Sequence, residues 1–557
     1  MHTIGASFSG GGFRATAFTF GCLDLLHHAR LGERSLLQHV AFSSSTSGGS
    51  LAMAYHAVRS YRGDPFPEIL AGLRTHMEGE ALLAEAMRIL EEDAAWAQLP
   101  GKSRNLINAF SIAYDQHLFN GATLGLLANK SERPPIDRYC FNATELNHGL
   151  SFRFDHNGDA NTISDVGNKR QHFAAGSAPL AHQLRMADIA AASSCFPVGF
   201  EPLVFPHDFE PAHAPGIGAA LVDEDDVPLP PAALPFGIVD GGAVDNQGLR
   251  GLQIEAGRRT QRGLEPFDLM ISCDVSSFHM NEYEVPEPKG AWSGGWKVGH
   301  VLIGLLLAAG CIVAGLGIAL WQGAWVAAAV LVPPAALVVI GGIAVWRSFR
   351  SMGSGSWVHM VKRYALPLLG HMSLRTLRYF VVPRLRILGL LLNNVFMNEI
   401  RRQQYRALYE GQQPRVPIVA CMVYELSQKN TRLRMRRMAQ RLAELKEAVR
   451  KGQLPADRIP RWEAAIAALQ PSPAMMHVAD SAAEMPTTLW FDTGNAQRLD
   501  HLLACGRFTL CYNLLVHLAD EEAQVDQLTA NKQKLREQLL RFWQLFLDHP
   551  TAPLPNP

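Results

Sequence analysis

The stretch that decides the fold is Val40-Ala-Phe-Ser-Ser-Ser-Thr-Ser47-Gly-Gly-Ser50, which runs directly into Leu-Ala-Met-Ala-Tyr-His-Ala-Val. This order predicts a short buried strand, a tight turn and an alanine-rich helix. A serine at such a corner leaves its hydroxyl exposed beside the free N–H groups of the helix N-terminus. The spacing Ser45-x-Ser47-x-Gly49 is close to the G-x-S-x-G nucleophile elbow. Taken alone, the stretch is equally compatible with a Ser/Gly-rich turn that has no chemical role.

A second strand–loop–helix unit precedes this corner. The predicted strand Thr3–Phe8 leads into Ser9-Gly10-Gly11-Gly12-Phe13-Arg14, and a helix follows. Successive glycines let the backbone approach a ligand closely, and their N–H groups lie where the helix dipole favours negative charge. The loop lacks both the Lys-Ser/Thr ending of a phosphate-binding Walker loop and the spacing of a dinucleotide fingerprint. We therefore favour an oxyanion-binding loop, in which Arg14 fixes the loop, neutralises a phosphate or lies at the surface.

A third predicted strand ends at an acidic residue, Asp240, in the stretch Phe236-Gly-Ile-Val-Asp240-Gly241-Gly242. Ligands of open α/β sheets bind at strand ends, which makes Asp240 a candidate functional acid, although an Asp-Gly pair is also an ordinary turn signal. No histidine lies in a motif that would make it the general base. A direct pair of Ser47 and Asp240 is therefore the simplest arrangement for acyl transfer. Asp240 must then be sheltered, because an exposed carboxylate is a weak base.

The bulk composition gives no sign of a nucleic-acid partner. The 557 residues include 51 Lys and Arg and 51 Asp and Glu, so no overall positive field is present. The 8 cysteines form no C-x-x-C pair, and several lie in apolar runs, which predicts buried free thiols in a reducing compartment. No motif calls for a metal or another cofactor. The N-terminus enters a strand pattern almost directly, and we expect no signal peptide.

One segment has a strong charge asymmetry. From Pro288 to Asn398 every charged residue is Lys or Arg, and the segment contains the apolar runs 298–320 and 324–346. Each run is long enough to cross the ~30 Å hydrocarbon core as a helix, and the short link between them allows only a tight hairpin. Tryptophans lie near the run ends, as interfacial aromatics do, and the basic residues outside the hairpin predict that both of its ends are cytoplasmic. Pro333-Pro334 predicts a kink or a re-entrant second segment; core helices of a soluble protein are the alternative.

The hairpin divides one catalytic domain, because a further strand predicted at 416–424 implies that the sheet resumes after it. The irregular, proline- and acid-rich residues 204–235 are a candidate lid. The predicted parts are an N-terminal catalytic part at 1–286, the membrane hairpin at 287–350, a basic membrane-proximal helical region at 351–415, a closing catalytic part with a basic helical insertion at 416–518, and a C-terminal helix and tail at 519–557.

The sequence resembles the patatin-like phospholipases, and its glycine loop is also similar to that of the cytosolic phospholipases A. The matching motifs are Gly10-Gly11-Gly12-x-Arg14, Ser45-x-Ser47-x-Gly49 and Asp240-Gly241-Gly242. Supporting segments occur in the same order at 143–147, 191–197 and 485–488. The resemblance covers roughly residues 3–280 and 415–518. Position 45 departs from the family pattern, which usually has glycine there.

The resemblance implies a three-layer α/β/α fold and a lipid acyl hydrolase of the phospholipase A or lysophospholipase type that works through an acyl-enzyme. Ser47 would be the nucleophile and Asp240 its base. The oxyanion hole would comprise the backbone N–H groups of Gly10, Gly11, Gly12 and Gly48. The supporting residues would be Arg14, Gly49, Gly241 and Gly242.

The hairpin and the resemblance together predict where the protein works. We expect an integral membrane protein of the bacterial inner membrane, with a cytoplasmic catalytic domain that acts on membrane phospholipids. The basic flank would lie near anionic headgroups. No oligomeric state can be predicted. Three alternatives remain: a lipid transacylase that uses the same residues, a non-catalytic membrane scaffold and a soluble esterase.

Overall fold

The computed structural model describes residues 3–97, 99, 101–128, 136–155, 166–174, 176–197, 199–210, 216–276, 297–351, 373, 384, 387–388, 390–410, 416–489, 491, 496–525 and 527–555. The chain divides into two compact units. One comprises Met1–Met280 with Met397–Pro557, and the other comprises Asn281–Phe396.

The first unit contains all the strands found in the described residues. They are β1 (Ile4–Phe8), β2 (Arg30–Leu31), β3 (Arg34–Ser35), β4 (Val40–Thr46), β5 (Tyr139–Glu145), β6 (Leu150–Asp155), β7 (Val166–Gly167), β8 (His172–Phe173), β9 (Leu203–Phe205), β10 (Leu221–Val222), β11 (Phe236–Asp240), β12 (Leu269–Asp274) and β13 (Ile418–Met422).

The α-helices are distributed along the whole described chain. They are α1 (Gly12–His28), α2 (Gly48–Tyr61), α3 (Phe66–Met77), α4 (Ala81–Glu91), α5 (Asp93–Ala97), α6 (Leu106–Tyr114), α7 (Ala178–Ala181), α8 (Met186–Ser193), α9 (Gly242–Asp245), α10 (Leu249–Gln261), α11 (Val298–Trp321), α12 (Trp325–Ser351), α13 (Met397–Glu410), α14 (Thr431–Arg450), α15 (Arg458–Ala467), α16 (Pro473–Glu484), α17 (Ala496–Gln524) and α18 (Ala530–Asp548).

Eleven strands form one mixed sheet in the order β10-β8-β7-β6-β5-β4-β1-β12-β13, with β11 paired to β5 and β9. The run from β5 to β13 is parallel. The strands beyond β5 pair antiparallel, from β6 outward to β10. The predicted α/β class is therefore confirmed. The sheet also resumes after residues 281–396, because β13 pairs directly with β12.

Helices cover both faces of the parallel part of the sheet. On one face the main hydrophobic core joins β1 to the buried helices α1 and α17. On the opposite face a second core contains Phe42 of β4 and Met270 of β12 together with Leu252 of α10 and Leu408 of α13. Residues on alternate sides of each strand thus enter different cores, and the result is a helix–sheet–helix arrangement.

The predicted apolar runs form two helices, α11 and α12, with a break at 322–324. Helix α12 is helical on both sides of Pro333 and Pro334. Three helices of the described chain are long and apolar enough to cross a membrane. The most apolar windows of α11 and α12 are 0% and 11% buried, whereas 83% of the corresponding window in α17 is buried within the protein. By this measure α17 is a core helix, and α11 and α12 present apolar surface outward.

Two predicted parts differ in extent from the observed elements. The predicted boundary at 519 lies within α17, which ends at Gln524, and the C-terminal helix, α18, begins at Ala530. In the predicted basic region 351–415, the described residues include a π-helical turn, Leu391–Phe396, and then α13. Most of the basic region 351–415 lies outside the described residues. All eight cysteines are free and seven are buried, as predicted, while Cys311 is exposed.

Candidate active site

Strand β5 brings Ser47 and Asp240 together. Its first half pairs with parallel β4, whose residue Thr46 lies opposite Asn142. Its second half pairs with antiparallel β11, whose last residue, Asp240, lies opposite Ala143. The end of β4 and the end of β11 therefore meet at neighbouring positions on one strand. Although far apart in sequence, the serine corner and the acidic turn become adjacent.

Ser47 lies between β4 and α2 in a strained backbone conformation. Its φ is 52° and its ψ is −122°, one of three positive φ values at non-glycine residues in the described chain. Such a conformation costs about 1–3 kcal/mol and persists only where the surroundings impose it. The strand and the helix both lead away from Ser47. The residue as a whole is largely buried. A strained residue between a strand and a helix is the backbone arrangement on which nucleophile elbows are built.

Asp240 is buried, as a carboxylate that acts as a general base must be. Burial raises the pKa of Asp240 to about 6, while the backbone N–H of Gly242 and an interaction with the Ser47 side chain oppose this rise. The Gly242 N–H donates to Asp240 Oδ1 at 2.6 Å. A carboxylate in this environment is a stronger base than an exposed one, and it remains ionised at neutral pH.

The glycine loop packs directly on the elbow. A Cβ atom on Gly48 would lie 1.9 Å from the carbonyl oxygen of Gly12, so only glycine permits this approach. A Cβ atom on Gly10 would lie 3.0 Å from Ser47 Cβ. The N–H of Gly10 already donates to the Asn246 carbonyl at 2.8 Å. In contrast, the N–H groups of Gly11, Gly12 and Gly48 have no hydrogen-bond acceptor among the described residues.

The other predicted supporting residues hold this arrangement together. A Cβ atom on Gly241 would lie 2.3 Å from the Asn142 carbonyl oxygen, and one on Gly49 would lie 2.7 Å from that of Phe8. Arg14 is buried and donates to the Met485 carbonyl. Burial lowers the pKa of Arg14 to about 10, which leaves it charged at neutral pH. Arg14 therefore fixes the glycine loop to the 485–488 segment; it is not a surface residue.

Among the hydroxyls of the serine-rich run, that of Ser47 lowers the pKa of Asp240 against the effect of burial. The others have different partners. Ser43 Oγ donates to the Arg138 carbonyl, and Ser45 Oγ donates to the Cys140 carbonyl at 3.3 Å. Ser50 Oγ donates to Ser45 Oγ at 3.1 Å. Ser45, where the patatin-like pattern has glycine, is accommodated inside the sheet by these bonds.

Sequence reasoning missed Ser193 and Asn142 as individual site residues. Ser193 Oγ accepts the Ser47 N–H at 2.9 Å and donates to the Asn142 carbonyl at 2.6 Å. The Asn142 side chain donates to the Ser45 carbonyl at 2.8 Å. These contacts fix the strained corner from the side of α8 and β5. Ser193 lies within the 191–197 segment and Asn142 directly precedes the 143–147 segment, but the order of these segments does not show which side chain points inward.

We predict that Ser193→Ala lowers turnover by roughly 10–100-fold and destabilises the fold by about 1–3 kcal/mol, because the buried Ser47 N–H loses its acceptor. Ester hydrolysis and thermal unfolding measure the two effects. Ser194→Ala is the matched control, since Ser194 Oγ donates to the Ala190 and Ala191 carbonyls and interacts with Tyr114, none of which belongs to the elbow. Equal activity in the two variants would show that Ser193 does not position the elbow.

No group of three or more His, Cys, Asp or Glu side chains in the described part of the chain is arranged to hold a metal ion. A second buried acid, Asp245, lies near the site, and burial raises its pKa to about 6. Its carboxylate accepts the N–H groups of Leu249, Arg250 and Gly251 at the start of α10. Asp245 thus caps a helix.

No protein-family model and no curated protein sequence matches the chain. Among solved structures, human GIVD cytosolic phospholipase A2 has a TM-score of 0.32 to this chain at 16% sequence identity. The match covers 49% of this chain and spans 45% of the phospholipase chain. At this TM-score the similarity establishes neither the family nor the activity of the protein.

Proposed function

We propose that the protein is a membrane-anchored serine lipid acyl hydrolase of the patatin-like type, which cleaves carboxylic esters of glycerophospholipids. The observation that carries the proposal is the strained Ser47 at a strand–helix corner beside the buried Asp240. The motif order, which resembles that of the patatin-like phospholipases, supports it. The glycine loop packed on Ser47 supplies the third element that acyl transfer needs.

In the proposed reaction, Ser47 Oγ attacks the ester carbonyl while Asp240 accepts its proton. The carbonyl oxygen becomes an oxyanion, which the N–H groups of Gly11, Gly12 and Gly48 stabilise. The tetrahedral intermediate collapses, and the lyso-lipid alcohol leaves with the proton held by Asp240. Asp240 then takes a proton from water, which attacks the acyl-enzyme, and it returns this proton to Ser47 Oγ as the second tetrahedral intermediate collapses and the fatty acid leaves. Gly10 supports the loop through its bond to Asn246 rather than donating to the substrate.

The membrane assignment belongs to the same proposal. Helices α11 and α12 have outward apolar surfaces over lengths that fit a bilayer, and the charged residues between Pro288 and Asn398 are all basic. By the positive-inside rule, both ends of the hairpin and the catalytic domain face the cytoplasm, near anionic headgroups of a bacterial inner membrane.

Fluorophosphonate labelling of the full chain in its membrane tests the proposal. We expect one covalent label, mapped to the peptide that contains Ser47. The labelled protein should remain in the pellet after alkaline carbonate extraction. Unlabelled protein should release fatty acid from phospholipid vesicles, and labelled protein should not.

Each other outcome contradicts a part of the proposal. Absence of a label together with intact phospholipid would indicate a non-catalytic scaffold. Transfer of the acyl group to an added lipid alcohol, without free fatty acid, would indicate a transacylase. Release from the membrane by carbonate would indicate a soluble esterase.

A further inference from the structure

Asn246 lies where the serine corner, the acidic turn and the glycine loop meet. A Cβ atom on Gly10 would lie 2.5 Å from Asn246 Oδ1, and one on Gly242 would lie 2.8 Å from the same oxygen. These two Cβ positions are also 3.0 Å from Ser47 Cβ and 2.9 Å from Asp240 Oδ1, respectively. The Asn246 carboxamide therefore lies beside both members of the proposed catalytic pair, in space that glycine leaves open at positions 10 and 242.

The backbone fixes Asn246 in this position. The residue follows α9, which begins at Gly242, and its φ of −66° and ψ of −23° continue the helical turn. Because residues four apart on a helix are neighbours on one face, the side chain at 246 lies next to residue 242. The Asn246 carbonyl accepts the Gly10 N–H at 2.8 Å, which ties the same residue to the glycine loop. Both attachments use the backbone, so the side chain is not needed to hold Asn246 in place.

The carboxamide itself has no partner in the protein. Asn246 is half-buried, and its side chain makes no hydrogen bond to the part of the chain that the structure describes. In this it differs from Asn142, whose side chain donates to Ser44 Oγ and to the Ser45 carbonyl. A carboxamide has two N–H donors and a carbonyl acceptor. Those of Asn246 are available to a molecule that enters the site.

The proposed function places a reacting oxygen in this space. After Ser47 Oγ has attacked, the glyceryl oxygen of the ester is bonded to the same carbon as Ser47 Oγ and must receive its proton from Asp240. This oxygen therefore lies between the two side chains, beside the carboxamide. We propose that Asn246 is a further catalytic residue, whose Nδ2–H donates to the glyceryl oxygen as it leaves. The hydrogen bond stabilises the negative charge that develops on this oxygen before the proton arrives, and no covalent bond to Asn246 forms.

The carbonyl oxygen of the same ester has other donors, the unbonded N–H groups of the glycine loop and the elbow. Asn246 meets the loop at Gly10, whose N–H is occupied by the Asn246 carbonyl, and its carboxamide extends to Gly242 on the side of Asp240. The two sets of donors therefore serve different oxygens of the tetrahedral intermediate. The inference rests on the proposed function, because it names a role in that reaction.

Two reactions of the full chain in phospholipid nanodiscs separate this role from a structural one. Phospholipid hydrolysis under single-turnover conditions expels a glyceryl oxygen, whereas fluorophosphonate labelling of Ser47 expels fluoride. We expect Asn246→Ala to lower the rate constant of hydrolysis about 10–100-fold and that of labelling by less than about threefold. Gln404→Ala is the matched control, because the Gln404 carboxamide donates to the Val244 carbonyl of the same short helix at 3.4 Å. Both rate constants of Gln404→Ala should equal those of the native protein.

Asn246→Asp tests the placement beside Asp240. This substitution keeps the size of the side chain, removes the N–H donor and puts a second carboxylate next to Asp240, which raises the pKa of Asp240. We expect hydrolysis to fall at least as far as in Asn246→Ala. The lower limb of its pH profile should also move to higher pH by roughly 1 unit.

Normal phospholipid hydrolysis by Asn246→Ala, with an active native protein as reference, would overturn the proposal. So would an unchanged pH profile in Asn246→Asp, which would show that the side chain is not beside Asp240. Equal losses of hydrolysis and labelling in Asn246→Ala would also overturn it, because the reactivity of Ser47 itself would then be impaired. A native protein that hydrolyses no ester would instead refute the proposed function, and this inference with it.

Discussion

Ser47→Ala is expected to lower phospholipid hydrolysis by at least ~10³-fold, while the protein remains folded and in the membrane. The methyl side chain cannot form the acyl-enzyme, and residual activity would depend on the oxyanion donors alone. The measurement is fatty-acid release from vesicles under single-turnover conditions. Ser43→Ala is the matched control: it removes another hydroxyl of the same strand, one whose partner is the Arg138 carbonyl. Near-normal turnover by Ser47→Ala would refute the assignment.

A second substitution at the same position separates the effect of backbone strain from the effect of losing the hydroxyl. Because Ser47 has a φ of 52°, Ser47→Gly relieves strain that Ser47→Ala retains. We expect Ser47→Gly to be inactive but more stable than Ser47→Ala by about 1 kcal/mol, after allowance for the greater entropy of glycine in the unfolded chain. Thermal unfolding of the two variants provides the comparison. Equal stability would mean that the corner is not strained.

Asp240→Asn is expected to have a comparable effect on hydrolysis, because an amide cannot accept the Ser47 proton. In the native protein, the activity should follow the ionised fraction of Asp240, whose pKa is raised by burial to about 6. kcat/KM should therefore fall about tenfold per pH unit below pH ~6 and level off above it. Asp245 has a similar pKa but caps α10, so Asp245→Asn should keep this pH dependence. A flat profile in the native protein would exclude Asp240 as the base.

The same pKa predicts how stability changes with pH. The carboxyl of Asp240 holds its proton more tightly in the folded state than in the unfolded chain, where the pKa is about 3.9. The favourable contribution of Asp240 to the free energy of unfolding is therefore complete below pH ~3.9 and is lost as the pH rises through ~6. Between about pH 4 and pH 8, the free energy of unfolding of Asp240→Asn should therefore rise by on the order of 2–3 kcal/mol relative to that of the native protein. Chemical denaturation at the two pH values measures this difference.

The local elements around the site were predictable because short sequence signals define them. Ser47 follows a β-branched and serine strand and precedes an alanine-rich helix, and Asp240 ends an apolar run. Each signal is contained within a few residues, and the structure has the predicted strand ends. The return of the sheet at β13 was equally readable from its apolar run.

Long-range contacts were not predictable from the sequence. Nothing near Ser193 shows that its hydroxyl accepts the Ser47 N–H, since this requires the placement of α8 against β5. The bond from Gly10 to Asn246 also depends on the packing of two distant loops, and it changes which glycines can donate to an oxyanion.

The pairing of β12 with β13 has a consequence for biosynthesis. Residues 275–417, including both apolar helices, separate these neighbouring strands, and the glycine loop is fixed by Thr488 and Met485 from still later in the chain. During synthesis, the ribosome must therefore release the whole hairpin before the sheet can close or the glycine loop can be held in place. Under the proposed function, such an order ties maturation of the hydrolase to delivery of the nascent chain to the bilayer. The proposed lipase activity would then arise only after both apolar helices have left the ribosome.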